Sequence, residues 1–148
     1  MAAMIEQDVL IEAPVEVVWR AVTEAGQLAR WLADEVDLEA TPDYEGTMTF
    51  HYGERSQTYQ ITVRAVEPER MFSYRWMHPR GATAVEGNST LVEFTLTSAD
   101  GGTWLRVLET GVEEMGWPPD QKYRYADEHN DGWTHYFGRL HDHLAGVR

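Results

Sequence analysis

The sequence predicts an α+β domain in which a concave antiparallel sheet grips the apolar face of one C-terminal helix. Three observations predict it. Wound at about 100° per residue, the segment from His129 to Leu144 puts Trp133, Phe137, Leu140 and Leu144 on one narrow stripe, with His129 and Tyr136 at its margins. The opposite side carries Asp131, His135, Arg139 and Asp142, so one face is wet and the other needs an apolar hollow. Upstream, between residues 34 and 109, segment after segment alternates apolar and polar side chains with a period of two, separated by turn residues. Finally, 148 residues with 43% hydrophobic content suit one domain, spanning residues 1–148, that buries about two-thirds of its unfolded surface.

The elements follow in order. Val9, Leu10 and Ile11 form an apolar run stopped by Pro14 and read as a first strand. A helix begins at that proline, whose fixed φ suits a first helical position. Glu16 complements its N-terminus, and Val15, Val18, Trp19 and Val22 recur at three- and four-residue steps. Gly26 interrupts the pattern, and Leu28, Trp31 and Leu32 make a second short helix ending near Ala33. From Asp34 to Ala40, Val36 and Leu38 face one way while Asp37 and Glu39 face the other. Met48, Phe50 and Tyr52 form the next strand face, and Gly53-Glu54 turns the chain. Tyr59, Ile61, Val63 and Ala65 share a face of a long strand closed by residues 67–70. Phe72, Tyr74 and Trp76 give the most aromatic face in the chain, and a loop from Pro79 to Asn88 follows. Val92, Phe94 and Leu96 alternate up to the hairpin signal Asp100-Gly-Gly102, and Leu105, Val107 and Glu109 share a face of the last strand. Pro118 and Pro119 fit either a loop or the first turn of a longer final helix.

Composition excludes several kinds of function. With a formal net charge of −13, most of the surface repels a phosphate backbone, so nucleic acid is not an expected partner. Six Trp, seven Tyr and four Phe are too many for a disordered acidic tail. The absence of cysteine removes disulfides, thiolate metal sites and thiol nucleophiles together. No window approaches eighteen uninterrupted apolar residues and no basic-then-apolar leader opens the chain, so the expectation is a cytoplasmic protein without membrane insertion. Nucleophile-elbow, phosphate-loop, dinucleotide and zincin motifs do not occur. His135, His141 and His143 crowd the final helix, but His141 and His143 lie about 200° apart and neither is one turn from His135, so no metal site is expected.

The order strand, two short helices, antiparallel strands and long helix resembles the helix-grip fold. Ile11-Glu-Ala-Pro-Val-Glu-Val-Val-Trp19 is similar to the entry motif of the START-like (SRPBCC) superfamily. Leu28-Ala-Arg-Trp31, residues 103–111 and the run from Gly132 to Leu140 resemble its branch of heat-shock-protein-90 ATPase activator homologues. The resemblance implies a curved sheet wrapped around the C-terminal helix and a cavity between them. It also implies three functions: binding of a small, mostly apolar or aromatic molecule without a cofactor, a cyclase-, aromatase- or hydrolase-like reaction in the same cavity, or activation of a chaperone partner. The oligomeric state is left open.

Strand parity and that implied cavity select its expected lining: Phe50, Tyr59, Ile61, Phe72, Tyr74, Trp76, Phe94, Val107, Trp133 and Phe137. A chamber of about 300–1,000 Å³ suits a small organic molecule and needs only one or two polar groups to orient it. Glu109 shares the inward face of Leu105 and Val107 and is the expected polar contact or acid/base group; otherwise it is a structural carboxylate held by backbone donors or solvated at the strand end. His78 continues the parity of Phe72, Tyr74 and Trp76, which makes it either a partner of Glu109 at the cavity mouth or a surface residue before a turn. The hydroxyls of Tyr52, Tyr59 and Tyr74 serve the same chamber or belong to ordinary core residues.

Overall fold

The computed structural model describes residues 4–145. Its elements run β1 (Ile5–Ile11), α1 (Val15–Thr23), α2 (Ala25–Trp31), β2 (Glu35–Asp37), β3 (Glu45–Tyr52), β4 (Arg55–Glu67), β5 (Met71–His78), β6 (Thr90–Ala99), β7 (Gly102–Thr110) and α3 (Pro119–Ala145). The strands pair antiparallel in one sheet ordered β1-β7-β6-β5-β4-β3-β2. Six strands follow their neighbours in sequence, and β1 closes the far edge by pairing with β7, Ile5 opposite Glu109 and Ile11 opposite Thr103. This is the helix-grip fold.

β1 starts earlier than its apolar run, because Ile5 also faces inward and is fully buried. α3 is the longer of the two expected alternatives. The Pro118 carbonyl accepts bonds from the backbone N–H groups of Gln121 and Lys122, and Pro119 takes the first helical position, where its missing N–H costs nothing. The helix buries Ala126, Trp133, Phe137, Leu140 and Leu144, the stripe expected from its period plus one residue upstream.

The two short helices plug one end of the concavity. Leu28, Trp31 and Leu32 are buried, and the Trp31 indole donates to the Ala21 carbonyl at 2.8 Å. Trp31 meets Phe94 and Phe137 at ring distances of 6.3 and 6.4 Å, so the C-terminal half of α3 lies in a filled core. The contacts of α2 with the final helix fall at Phe137, Arg139 and His143, all beyond residue 136.

Two bulges in the β4–β5 pair break simple alternation. Val63 pairs with Tyr74 but Ala65 pairs with Ser73, leaving Arg64 as an extra residue, so Val66 rather than Ala65 continues the inward face opposite Phe72. Ile61 pairs with Trp76 while Gln60 pairs with His78, leaving Met77 as the extra residue with a left-handed φ of 71°. That bulge turns His78 to the other face of the sheet.

Candidate functional site

The unplugged half of the concavity holds a cavity of about 210 Å³. Phe50 and Tyr52 from β3, Tyr59 from β4 and Trp76 and Met77 from β5 form the sheet side; Glu128, His129, Gly132, Trp133 and Tyr136 form the helix side. The helix residues fall at steps of one, three and four and so share one flank of α3. Their rings brace one another. Phe50 lies 5.8 Å from Tyr59, 6.4 Å from Trp76 and 6.1 Å from Tyr136, and Trp76 stacks on Trp133 at 6.0 Å with 28° between planes. A wider and more open depression between β1 and α3, about 580 Å³, is bordered mostly by polar residues, Gln7, Asp8, Thr134, His135, His141 and Asp142, with Phe137 and Val9 as its large apolar side chains.

Directly behind the cavity wall sits Glu109, 1% exposed. Its two oxygens receive five donors. Oε1 accepts from Trp133 Nε1 at 3.1 Å and lies 2.8 Å from His129 Nδ1; Oε2 accepts from the Tyr125 hydroxyl at 2.6 Å, the Thr90 hydroxyl at 2.7 Å and Trp76 Nε1 at 3.1 Å. Tyr125, His129 and Trp133 are spaced four residues apart, so one helix stripe delivers three of these donors across the interface. Burial pushes the Glu109 carboxyl up, but the His129 bond and charge, with the Tyr125 and Thr90 bonds, outweigh it and hold the group below its ordinary value. Burial first, then the Glu109 charge and hydrogen bond, drive the Tyr125 hydroxyl far above its ordinary range, so it stays a donor.

His129 is clamped. Its ring stacks on Tyr125 at 3.8 Å with 20° between planes and meets Trp76 edge-on at 5.8 Å, while 17% of its side chain remains exposed and the residue lines the cavity. To donate to a carboxylate, Nδ1 must carry the proton, so a neutral ring presents the Nε2 lone pair. The arrangement is a carboxylate-oriented imidazole at the edge of an aromatic chamber.

Of the expected lining, Phe50, Tyr59, Trp76 and Trp133 border the cavity. Ile61, Phe72, Tyr74, Phe94, Val107 and Phe137 face the same concavity but are packed into its filled half, each at most 4% exposed. Parity gives the face of a side chain; it does not show which stretch of that face another element covers. Glu109 points inward as its parity requires, and its oxygens are met by side-chain donors rather than backbone ones. The expectation for His78 is corrected. The Met77 bulge carries it beside Thr62, whose hydroxyl lies 3.2 Å from its Nε2, and away from Glu109. In its place the bulge aims Met77 at the cavity, with Sδ 3.2 Å from the Tyr125 hydroxyl. Tyr52 stands 57% exposed at the mouth, and the Tyr74 hydroxyl is buried with no partner among the described residues.

The residues missed by sequence reasoning are Met77, Glu128, His129, Gly132 and Tyr136 on the cavity wall and Thr90 and Tyr125 behind it. The four-residue spacing of Tyr125, His129 and Trp133 was the available signal, because three side chains with polar tips on a buried stripe require an acceptor opposite them.

A family model described as activator of Hsp90 ATPase homolog 1-like protein matches residues 12–145. Among solved structures, a protein from Mesorhizobium loti is similar over 98% of both chains, with a TM-score of 0.79 and 25% identity. A protein from Nitrosomonas europaea gives a TM-score of 0.80 at 17% identity, covering 98% of this chain and 96% of its own. DynU16, from the dynemicin biosynthetic locus, gives 0.77 at 24% identity over all of this chain and 49% of its own. A search of the curated proteins finds no match to the sequence.

Proposed function

The chain belongs to the family of activator of Hsp90 ATPase homolog 1-like proteins, and from that premise we propose that it binds a small, flat, mostly apolar molecule between β3–β5 and α3. The carrying observation is the 210 Å³ cavity walled by Phe50, Tyr59, Trp76, Trp133 and Tyr136. Its volume lies below the roughly 300–1,000 Å³ of drug-sized sites, which suits a molecule of one or two rings. The walls hold one another in place, so little ordering entropy is spent on binding.

Naphthalene tests the reading, because Trp76 and Trp133 would both sense it. Its addition should change the tryptophan emission and raise the melting temperature. At a hundredfold excess over Kd the gain is about 2.7 kcal/mol, or roughly 5–10 °C for a domain of this size. Gly132→Leu, which projects a side chain from the helix into the cavity, should keep the fold and lose both responses. A broad panel of aromatic compounds that moves neither observable would place the work of this domain on its outer surface. Stimulation of a heat-shock-protein-90 ATPase by both the parent chain and Gly132→Leu would favour the chaperone partner that the family description names.

No helix among the described residues is long and apolar enough to cross a membrane.

A further inference from the structure

We propose that His129, oriented by Glu109, is the proton acceptor for a weakly acidic hydroxyl on the bound molecule, so that the pocket takes phenols in preference to plain aromatic hydrocarbons. The inference rests on the cavity being a ligand site and adds the class of ligand.

The geometry assigns the acceptor by elimination of its neighbours. Glu109 Oε1 is met by His129 and Trp133, and Oε2 by Tyr125, Thr90 and Trp76, so the carboxylate itself is saturated and lies behind the wall. With Nδ1 committed to Oε1, Nε2 is the imidazole nitrogen left to a molecule in the cavity that His129 lines. The clamp by Tyr125 and Trp76 fixes the direction of that lone pair.

The proton balance is simple. The phenol O–H breaks, an N–H forms at His129 Nε2, and the phenolate faces an imidazolium already paired with the Glu109 carboxylate. The transfer leaves the charge of the site unchanged, because the phenolate's negative charge is matched by the positive charge on the imidazolium, so no net charge is added to an aromatic enclosure. The titratable groups facing the ring are Glu109 from β7, Tyr59 from β4, Tyr52 from β3, and Tyr125, Glu128 and Tyr136 from α3. The tyrosine hydroxyls at the cavity, Tyr52, Tyr59 and Tyr136, are donors that suit the ligand oxygen once its proton has moved. Glu128 is the rival acceptor, because it too lines the cavity.

The experiment compares 2-naphthol, 2-methoxynaphthalene and naphthalene by tryptophan quenching and calorimetry at neutral pH. 2-Naphthol should bind about tenfold more tightly than its methyl ether, which has the same shape without the proton. His129→Phe keeps a ring to stack on Tyr125 and should bring the two affinities together. Glu128→Gln should leave the preference intact. In the parent protein, the His129 Nε2 resonance in a nitrogen-15 spectrum should shift with 2-naphthol and not with the ether, a readout that does not depend on the His129 variant folding. Equal affinities, an unmoved Nε2 resonance, or a preference lost in Glu128→Gln instead would each overturn the assignment. Failure of all three compounds to bind would overturn the ligand-site reading itself.

Discussion

Trp76 donates its indole N–H to Glu109 Oε2 at 3.1 Å, and the same indole stacks on Trp133, which donates to Oε1 at 3.1 Å. Two walls of the cavity therefore hang on one buried carboxylate, from opposite layers of the fold. Each wall is oriented by its own bond to an acceptor that both walls share.

Glu109→Gln should accordingly be among the costly substitutions in this chain. The glutamine is close in shape, but it offers one neutral carbonyl where two charged oxygens accept five donors, and its NH₂ group confronts donors. Removing the charged partner from a buried network costs about 3–5 kcal/mol. A chemical denaturation midpoint within 1 kcal/mol of the parent would show that the donors do not need the charge.

The same site sets a pH dependence. Glu109 is held below its ordinary value in the fold, where the reference is 4.5. The unfolded chain therefore takes up that proton first as pH falls, so the contribution is fully present above about 4.5 and declines as pH drops through the lower folded value. The stability gap between parent and Glu109→Gln should be smaller at pH 3 than at pH 5. A gap that widens in acid would reverse the sign of the shift.

Tyr74→Phe should behave in the opposite way. The Tyr74 hydroxyl is fully buried and lacks a partner among the described residues, and burial and the nearby Glu109 charge raise it well above its ordinary value. Deleting an unpaired buried hydroxyl removes a desolvation cost of about 1–3 kcal/mol and leaves the ring packed against Phe72 and Phe94. The melting temperature should stay level or rise. A loss above 1 kcal/mol would point to an ordered water bonded at that oxygen.

The orientation of α3 is tested by a pair of neighbours. Trp133 is 2% exposed and bonds Glu109, so Trp133→Ala should cost about 3–5 kcal/mol; His135 is on the solvent face and His135→Ala should cost well under 1 kcal/mol. Equal denaturation midpoints would mean that the helix is rotated from the position described.

Much of this fold was legible in the sequence because it rests on two periods. The 3.6-residue stripe of Trp133, Phe137, Leu140 and Leu144 and the two-residue alternation of β3 to β7 both reflect burial of one face, and burial is what those periods report. The site was legible only in part, for two physical reasons. A bulge resets alternation without any composition signal: Met77 is not a glycine, yet it takes a left-handed φ, and parity counted through it sends His78 to the wrong face. Glu109 illustrates the second reason. Its inward direction followed from Leu105 and Val107, but its partners come from β5, β6 and α3, and no local spacing joins Trp76, Thr90 and His129. Which half of the concavity stays open depends on where α1 and α2 dock, a tertiary fact.

Gly132 links stability to the proposed activity. It sits inside α3, where glycine costs about 1 kcal/mol relative to alanine, and it lines the cavity. A Cβ added there would meet only Tyr136 Cε2 at 3.7 Å, an ordinary contact, so the fold itself has room for alanine. Gly132→Ala should therefore stabilise the unliganded protein by about 1 kcal/mol, seen as a rise in melting temperature of roughly 2–4 °C. The same methyl group narrows the space between α3 and the sheet, so the naphthalene-induced rise should shrink. The two effects must move in opposite directions if the space above Gly132 is where a ligand lies. A variant that gains stability and keeps its full ligand response would put the ligand elsewhere, since that methyl group cannot be added without occupying the cavity.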